Sequence, residues 1–186
     1  MLRVVIDTST FVSYVLTKSP LLSRLIDAWH VGAYTLVTSP ETRAELAQVL
    51  DRPMLKKRAK VSLDELTTGF ERYAETVPGL VSLSGACPDP KDDKFLACAF
   101  EARAHYLVSS DGDLLDLRWH RNTAIVNPGQ FLLALDLSSL QPSMISRRYQ
   151  SAVLERVLAN IPMQPDTAQR VNDALLLLAG SGDHSK

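Results

Sequence analysis

Apolar residues fall along the chain in two alternating kinds of segment. Short runs with apolar side chains at successive positions occupy residues 2–6, 34–38, 80–83, 105–109 and 123–126. Runs such as "RVVI" and "HYLV" suit strands covered on both faces, so five strands are expected. Between them, residues 21–31, 40–50, 63–77 and 92–102 carry helical spacing, and a further helix is expected after Pro128. Strands alternating with helices predict an α/β fold: a mostly parallel sheet wrapped by helices. Two helix starts are marked. Ser39 precedes Pro40 and Glu41, a capping residue followed by a first-turn proline and an acid, and Asp89-Pro90-Lys91-Asp92 forms a turn-like opening.

The pattern changes near residue 138. Ser138, Ser139, Gln141, Pro142 and Ser143 read as a linker. Helical stretches at 147–161 and 165–179, separated by Pro162 and Pro165, predict a hairpin, and Gly180 opens a frayed tail. The expected organisation is a domain over 1–137 and a helical extension over 138–186.

Composition narrows the class. The 186 residues are 46% hydrophobic and 22% charged, as in globular domains. A net charge of −1 gives no overall pull towards nucleic acid, so any such binding needs a local basic patch. No apolar run approaches the roughly 20 residues of a spanning helix. The first residues read as a strand rather than a signal peptide. Cys87 and Cys98 lack the spacing of a zinc site or a disulfide framework. A cytoplasmic protein with reduced structural thiols is expected.

The candidate chemistry is acidic. Asp7 closes the first strand in "VVIDTSTF", and Asp111 follows the fourth in "HYLVSSDGDLL". Sites in open parallel sheets form outside the carboxyl ends of strands, although either acid alone also suits a turn or a helix cap. Glu45 borders the apolar face made by Leu46, Val49 and Leu50 and is preferred to Glu41, whose first-turn place is structural; a solvated helix glutamate is the plain alternative. Asp93 heads a strip continued by Ala97 and Phe100. Favourable interaction with the helix dipole, about 0.3–1 kcal/mol, explains Asp92 as easily as Asp93.

Desolvating an unpaired carboxylate costs several kcal/mol, and like charges raise that cost. No lysine or arginine lies within the motifs around Asp7 or Asp111. If the four acids converge, a cation must hold them, and oxygen-only ligands select magnesium or manganese. Such ions, about 3.5–4 Å apart in two-metal sites, activate water and stabilise the leaving oxygen of a phosphodiester. Thr8, Ser9, Ser109 and Ser110 can orient a carboxylate or a phosphate, and each also suits a turn.

These segments, "VVIDTS", "SPETRAELAQVLDRP" and "DPKDDKFLACAFEARAHYLVSSDGDLL", resemble the PIN-domain ribonucleases over roughly residues 1–137. The chain is most similar to bacterial, VapC-like members that form the toxin half of toxin–antitoxin pairs. The resemblance implies a three-layer α/β/α sandwich with a parallel five-stranded sheet. It implies an Mg2+- or Mn2+-dependent endoribonuclease, often a homodimer, inhibited by a cognate antitoxin. Carried over by position, Asp7, Glu45, Asp93 and Asp111 are the metal-binding acids. Asp92 and Asp113 are neighbours, and spacing back from "LVSSD" favours Asp93 over Asp92. The chain departs from the family at Ser9, where asparagine is usual, and at "VSSD" in place of "VTGD". Nothing is implied for the part beyond residue 137.

A substrate grip is suggested by Arg52, Lys56, Lys57, Arg58 and Lys60, a basic run that can hold RNA phosphates or serve as a solvated helix end. His105, Trp29 and Trp119 are expected to pack rather than act. Two other classes compete with the nuclease. One is an RNA- or partner-binding module that has kept the fold and lost catalysis. The other, a domain phosphorylated on Asp7, leaves Glu45 without a role.

Overall fold

The computed structural model describes residues 1–180. Gly180 closes the last helix, and the rest of the expected frayed tail, 181–186, lies outside the described residues. The chain divides into two compact units, Met1–Pro128 and Gly129–Lys186.

In the first unit the order is β1 (Arg3–Ile6), α1 (Thr8–Thr17), α2 (Pro20–His30), β2 (Thr35–Thr38), α3 (Pro40–Leu50), α4 (Pro53–Arg58), α5 (Leu63–Tyr73), β3 (Glu75–Thr76), α6 (Asp93–Glu101), β4 (Tyr106–Val108), α7 (Gly112–Leu117), β5 (Trp119–His120) and β6 (Thr123–Val126). The strands form one six-stranded sheet in the order β3-β2-β1-β4-β6-β5. Every pairing is parallel except that of β5 with β6. The α/β class and the parallel arrangement are therefore as expected, with an antiparallel edge added.

Burial explains the sheet. Val5, Val37, Leu107 and Ile125 pack with Phe95, Leu96 and Ala99 of α6 and Leu114 of α7. Their neighbours Val4, Leu36, Tyr106 and Ala124 point to the opposite face by strand alternation and are equally buried. Both faces are covered, so these strands read as continuous apolar runs. Each such side chain contributes about 1.5–3 kcal/mol by leaving water. At one edge Arg3 makes a bidentate ion pair with Glu75, at 2.7 and 2.8 Å, which fastens β1 to the short strand β3.

Two expected elements differ. Residues 80–83 form no strand: Leu80 is 84% exposed, and Gly79 takes a φ of +78°, which turns the chain out of the sheet. The strand beside β2 is instead the polar pair Glu75–Thr76, within what was expected to be the end of a helix. Conversely, α1, α4 and α7 form where no helix was expected. The "TSTFVSYVLT" of α1 is rich in β-branched and aromatic residues of modest helix propensity. Its cap, Asp7, and the burial of Phe11 and Val15 outweigh that preference.

The second unit holds α8 (Pro128–Ser139, beginning at the boundary), α9 (Pro142–Arg148), α10 (Ser151–Asn160) and α11 (Pro165–Gly180). The stretch 138–143 thus ends α8 and starts α9, and the expected helix 147–161 is interrupted at Tyr149–Gln150. Leu137 of α8 packs with Ile145, Leu154, Val157, Met163, Val171 and Ala174 in a separate core. Among the described residues no helix is long and apolar enough to cross a membrane.

Candidate functional site

The strand order reverses at β1, with β2 and β3 running to one side and β4 and β6 to the other. The carboxyl ends of β1 and β4 therefore mark the switch point, where open α/β sheets place their ligands. Asp7 and Asp111 stand there. The Asp7 amide continues the pairing by donating to Val108 O at 3.0 Å.

Asp7 is buried, and its carboxylate also caps α1. One oxygen accepts from Thr10 N at 2.8 Å; the other accepts from Ser9 Oγ at 2.6 Å and Ser109 Oγ at 2.5 Å. Burial pushes its pKa above the ordinary value, and these hydrogen bonds oppose the shift without cancelling it. Ser109 also accepts from Asp111 N at 2.9 Å, so one hydroxyl ties the two strand-end acids together. Asp111 caps α7 through Asp113 N at 2.8 Å. Asp113 itself is exposed, as is Ser110, whose hydroxyl lies 3.2 Å from Thr10 Oγ1. Thr8 is buried at the first position of α1.

The two acids at the start of α6 have different jobs. Asp93 is buried, and its carboxylate accepts from Gly85 N at 2.7 Å, Ala86 N at 3.0 Å and Cys87 N at 2.7 Å. Gly85, with φ +71°, turns three successive amides towards it. Asp93 is thus engaged as the anchor of the 85–87 loop, a role not anticipated in the sequence. Asp92 is half-buried and feels the charges of the other acids. Its pKa is pushed up to about 6, chiefly by burial and then by the charges of Asp111, Asp89, Asp7 and Glu45. Asp89, read in the sequence only as part of a turn, adds its charge to the acidic surroundings of Asp92.

Glu45 is half-buried on α3 and forms an ion pair with Lys94 of α6. Its neighbourhood therefore contains a cation that sequence reasoning missed, although Lys94 directly follows the two aspartates. Among the described residues, no three histidine, cysteine or acidic side chains are grouped tightly enough, as they stand, to hold a metal ion. The donor chemistry nonetheless suits a hard cation. Asp7, Asp92 and Asp111 offer carboxylate oxygens, and Asp92 bears the electrostatic cost of the others.

Away from the acids, Arg52, Lys56, Lys57, Arg58 and Lys60 are all exposed on and around α4, with Lys56 paired to Asp51 at 2.6 Å. A concavity of about 750 Å³ is lined by Leu46, Leu50, Leu63 and Phe70 among others, and none of the acids Asp7, Glu45, Asp92 and Asp111 lines it. His105 accepts from Arg3 N at 3.0 Å, and Trp29 is buried, whereas Trp119 is 40% exposed.

Residues 3–113 match the PIN domain. The chain belongs to the PIN domain family. The match spans both strand-end acids, both aspartates of α6 and Glu45. PIN domains are typically nucleases, bind RNA and usually use divalent metals, which makes the chain nuclease-like at that coarse level. An uncharacterised protein of Methanocaldococcus jannaschii is 25% identical over 119 residues, covering 63% of this PIN-domain chain and 76% of that protein.

Proposed function

We propose that this PIN domain is an Mg2+- or Mn2+-dependent endoribonuclease, with Asp7, Asp92 and Asp111 as the ion-holding acids and Glu45 at the margin. The observation that carries the reading is Asp7: a buried carboxylate at the switch point, held by hydroxyls and an amide, with Asp92 and Asp111 beside it. Acids within electrostatic reach of one another disfavour each other's charged forms until a cation joins them. When bound, a divalent ion supplies an activated water and neutralises charge on the scissile phosphate. The chain's own part is orientation. Ser109 fixes Asp7 relative to Asp111, Ser9 holds the outer oxygen of Asp7, and Asp93 holds the loop that leads into Asp92. Thr8 and Ser110 lie at the same strand ends, where a phosphate would approach. The basic residues around α4 would grip the RNA backbone.

The resemblance of its sequence motifs to VapC-like members supports a narrower reading, the toxin of a toxin–antitoxin pair. A cognate antitoxin, a homodimer and a cytoplasmic location go with it. A second reading, an RNA-binding PIN domain with weak or lost catalysis, is favoured by one observation: Lys94 already neutralises Glu45. One experiment separates them. Metal-stripped protein is incubated with single-stranded and structured RNA in Mg2+, in Mn2+ or with chelator. The nuclease reading expects internal cuts that require metal and vanish in Asp7→Asn. Binding without cuts under any metal favours the second reading, and cleavage indifferent to chelator rules out the metal mechanism.

A further inference from the structure

Lys94 is a cation that the fold sets beside the acids, and it is held in place rather than loose. Two successive turns of α3 and α6 clasp each other. Ser39 and Thr42, at the start of α3, hydrogen-bond to the Cys98 sulfur of α6. One turn away on both helices, Lys94 meets Glu45 as an ion pair. Thr42 to Glu45 runs forward along α3 while Cys98 to Lys94 runs back along α6, so one face of each helix is turned to the other. The two side chains are only 16% and 25% exposed. The Lys94 ammonium also lies 5.9 Å from the centre of the Phe95 ring, within cation–π range.

A half-buried pair between packed helices can serve simply to tie them together. The place of this one gives it a second use. Lys94 follows Asp92 by two residues, and the charge of Glu45 reaches Asp92. Asp7, Asp92 and Asp111 bring three negative charges to a divalent ion. One such ion leaves them a single charge short of neutrality, and two would overshoot it. A second ion therefore needs a fourth carboxylate, since like charges in one site are disfavoured. Glu45 is placed to supply it, but an ammonium already takes its oxygens. The other nearby acids are engaged or exposed. Asp93 accepts from three backbone amides, Asp89 accepts from Lys91 N at 3.0 Å, and Asp113 faces water.

Resting on the divalent-ion reading above, we propose that Lys94 stands in for a second metal ion: its ammonium holds Glu45 and limits the site to one. Lys94 is thus a positioning residue that acts through Glu45. Hard divalent cations and ammonium groups compete for the same carboxylate lone pairs. Removing the ammonium should turn a one-ion site into a two-ion site.

Calorimetric titration of the metal-stripped full chain with Mn2+ counts the ions. Wild type is expected to bind one. Lys94→Met keeps an apolar stem and frees Glu45, so it should bind two, and adding Glu45→Gln to it should return the count to one. Magnetic resonance of the Mn2+ reads the spacing. Ions about 3.5–4 Å apart couple and broaden the signal, so coupling is expected in Lys94→Met alone. A purely structural pair gives a different result: Lys94→Met loses stability, because Glu45 is left uncompensated, and still binds one ion. That outcome overturns the proposal, as do two ions in wild type or two in the double variant. Wild type carries a further readout that does not depend on the folding of any variant. Its lysines are acetylated with and without saturating Mn2+ and followed by mass spectrometry, with the exposed Lys57 and Lys60 as references. Lys94 should stay protected in the ion-loaded chain. Labelling that rises with Mn2+ to the rate of the exposed lysines means that metal displaces the ammonium, and the proposal falls. Two ions in wild type remove the role of Lys94 and leave the ion reading standing, whereas no ion in wild type removes both.

Discussion

Asp93→Asn tests the division of labour at the start of α6. In the native chain one carboxylate oxygen of Asp93 accepts from Gly85 N, and the other accepts from Ala86 N and Cys87 N. Asparagine keeps one acceptor oxygen, which can serve Ala86 and Cys87. Its amide group then faces the Gly85 N–H, donor against donor. One charge-assisted bond is lost outright, at about 1.5–3 kcal/mol, and the other two become neutral and weaker. The expected loss is roughly 2–4 kcal/mol, a large share of the ~5–15 kcal/mol that holds a domain folded. Asp92→Asn should behave in the opposite way. Removing a charge that its acidic neighbours disfavour should leave metal-free stability unchanged or raise it by about 1 kcal/mol at neutral pH, once the partial exposure of Asp92 is discounted for solvent screening. The assay is denaturant unfolding in chelator, followed by tryptophan fluorescence. Trp29 and Trp119 both lie in the Met1–Pro128 unit, so the signal reports that unit alone. A midpoint for Asp93→Asn within error of wild type, or equal losses in the two variants, would refute the assignment of Asp93 to the loop.

Other expectations follow from the same geometry. The Asp92 carboxyl has its pKa raised from 3.8 to about 6, so the folded state holds that proton more tightly than the unfolded chain. Its contribution to metal-free stability should therefore fall as pH rises from about 4 to about 6 and stay level above; Asp92→Asn should flatten that part of a pH–stability curve, and an unchanged curve would contradict the placement. Ser109→Ala removes a donor to Asp7 and the acceptor for Asp111 N, so it should cost about 1–3 kcal/mol in unfolding free energy and weaken divalent-ion binding; a loss of stability with ion binding intact would make Ser109 purely structural. Replacing Lys57 and Arg58 by alanine should weaken RNA binding evenly across sequences and lower its salt dependence by about 0.7 per charge, and a sequence-selective loss would argue against a backbone grip.

The sheet was legible where burial speaks through composition. The apolar runs at β1, β2, β4 and β6 are covered on both faces, so their register hardly matters to the pattern. The short edge strands were hidden for the converse reason. Glu75–Thr76 and Trp119–His120 have two residues each and no apolar alternation, and they pair because longer neighbours present an edge to them. Helix α1 was hidden by its threonines, valines and aromatic residues, which favour strands until Asp7 caps them.

At the site, strand-end position alone pointed to Asp7 and Asp111. Choosing between Asp92 and Asp93 required knowledge of what lies opposite a buried carboxylate. A strip of apolar residues below Asp93 is equally compatible with a cation and with a nest of backbone amides, and the nest is made by the folded loop around Gly85, far from legible in the sequence. Lys94 was overlooked because it reads as the wet face of α6, whereas it crosses to α3 to meet Glu45.

The central claim is put to its sharpest test by calorimetric titration of metal-stripped protein with Mn2+. Wild type and the Asp93-bearing variants Asp7→Asn and Asp92→Asn are compared at neutral pH, with unfolding curves confirming that each is folded. Saturable binding in wild type, lost or weakened at least tenfold in both variants, is the predicted result. Absence of binding in wild type, or equal affinity in all three, would contradict it.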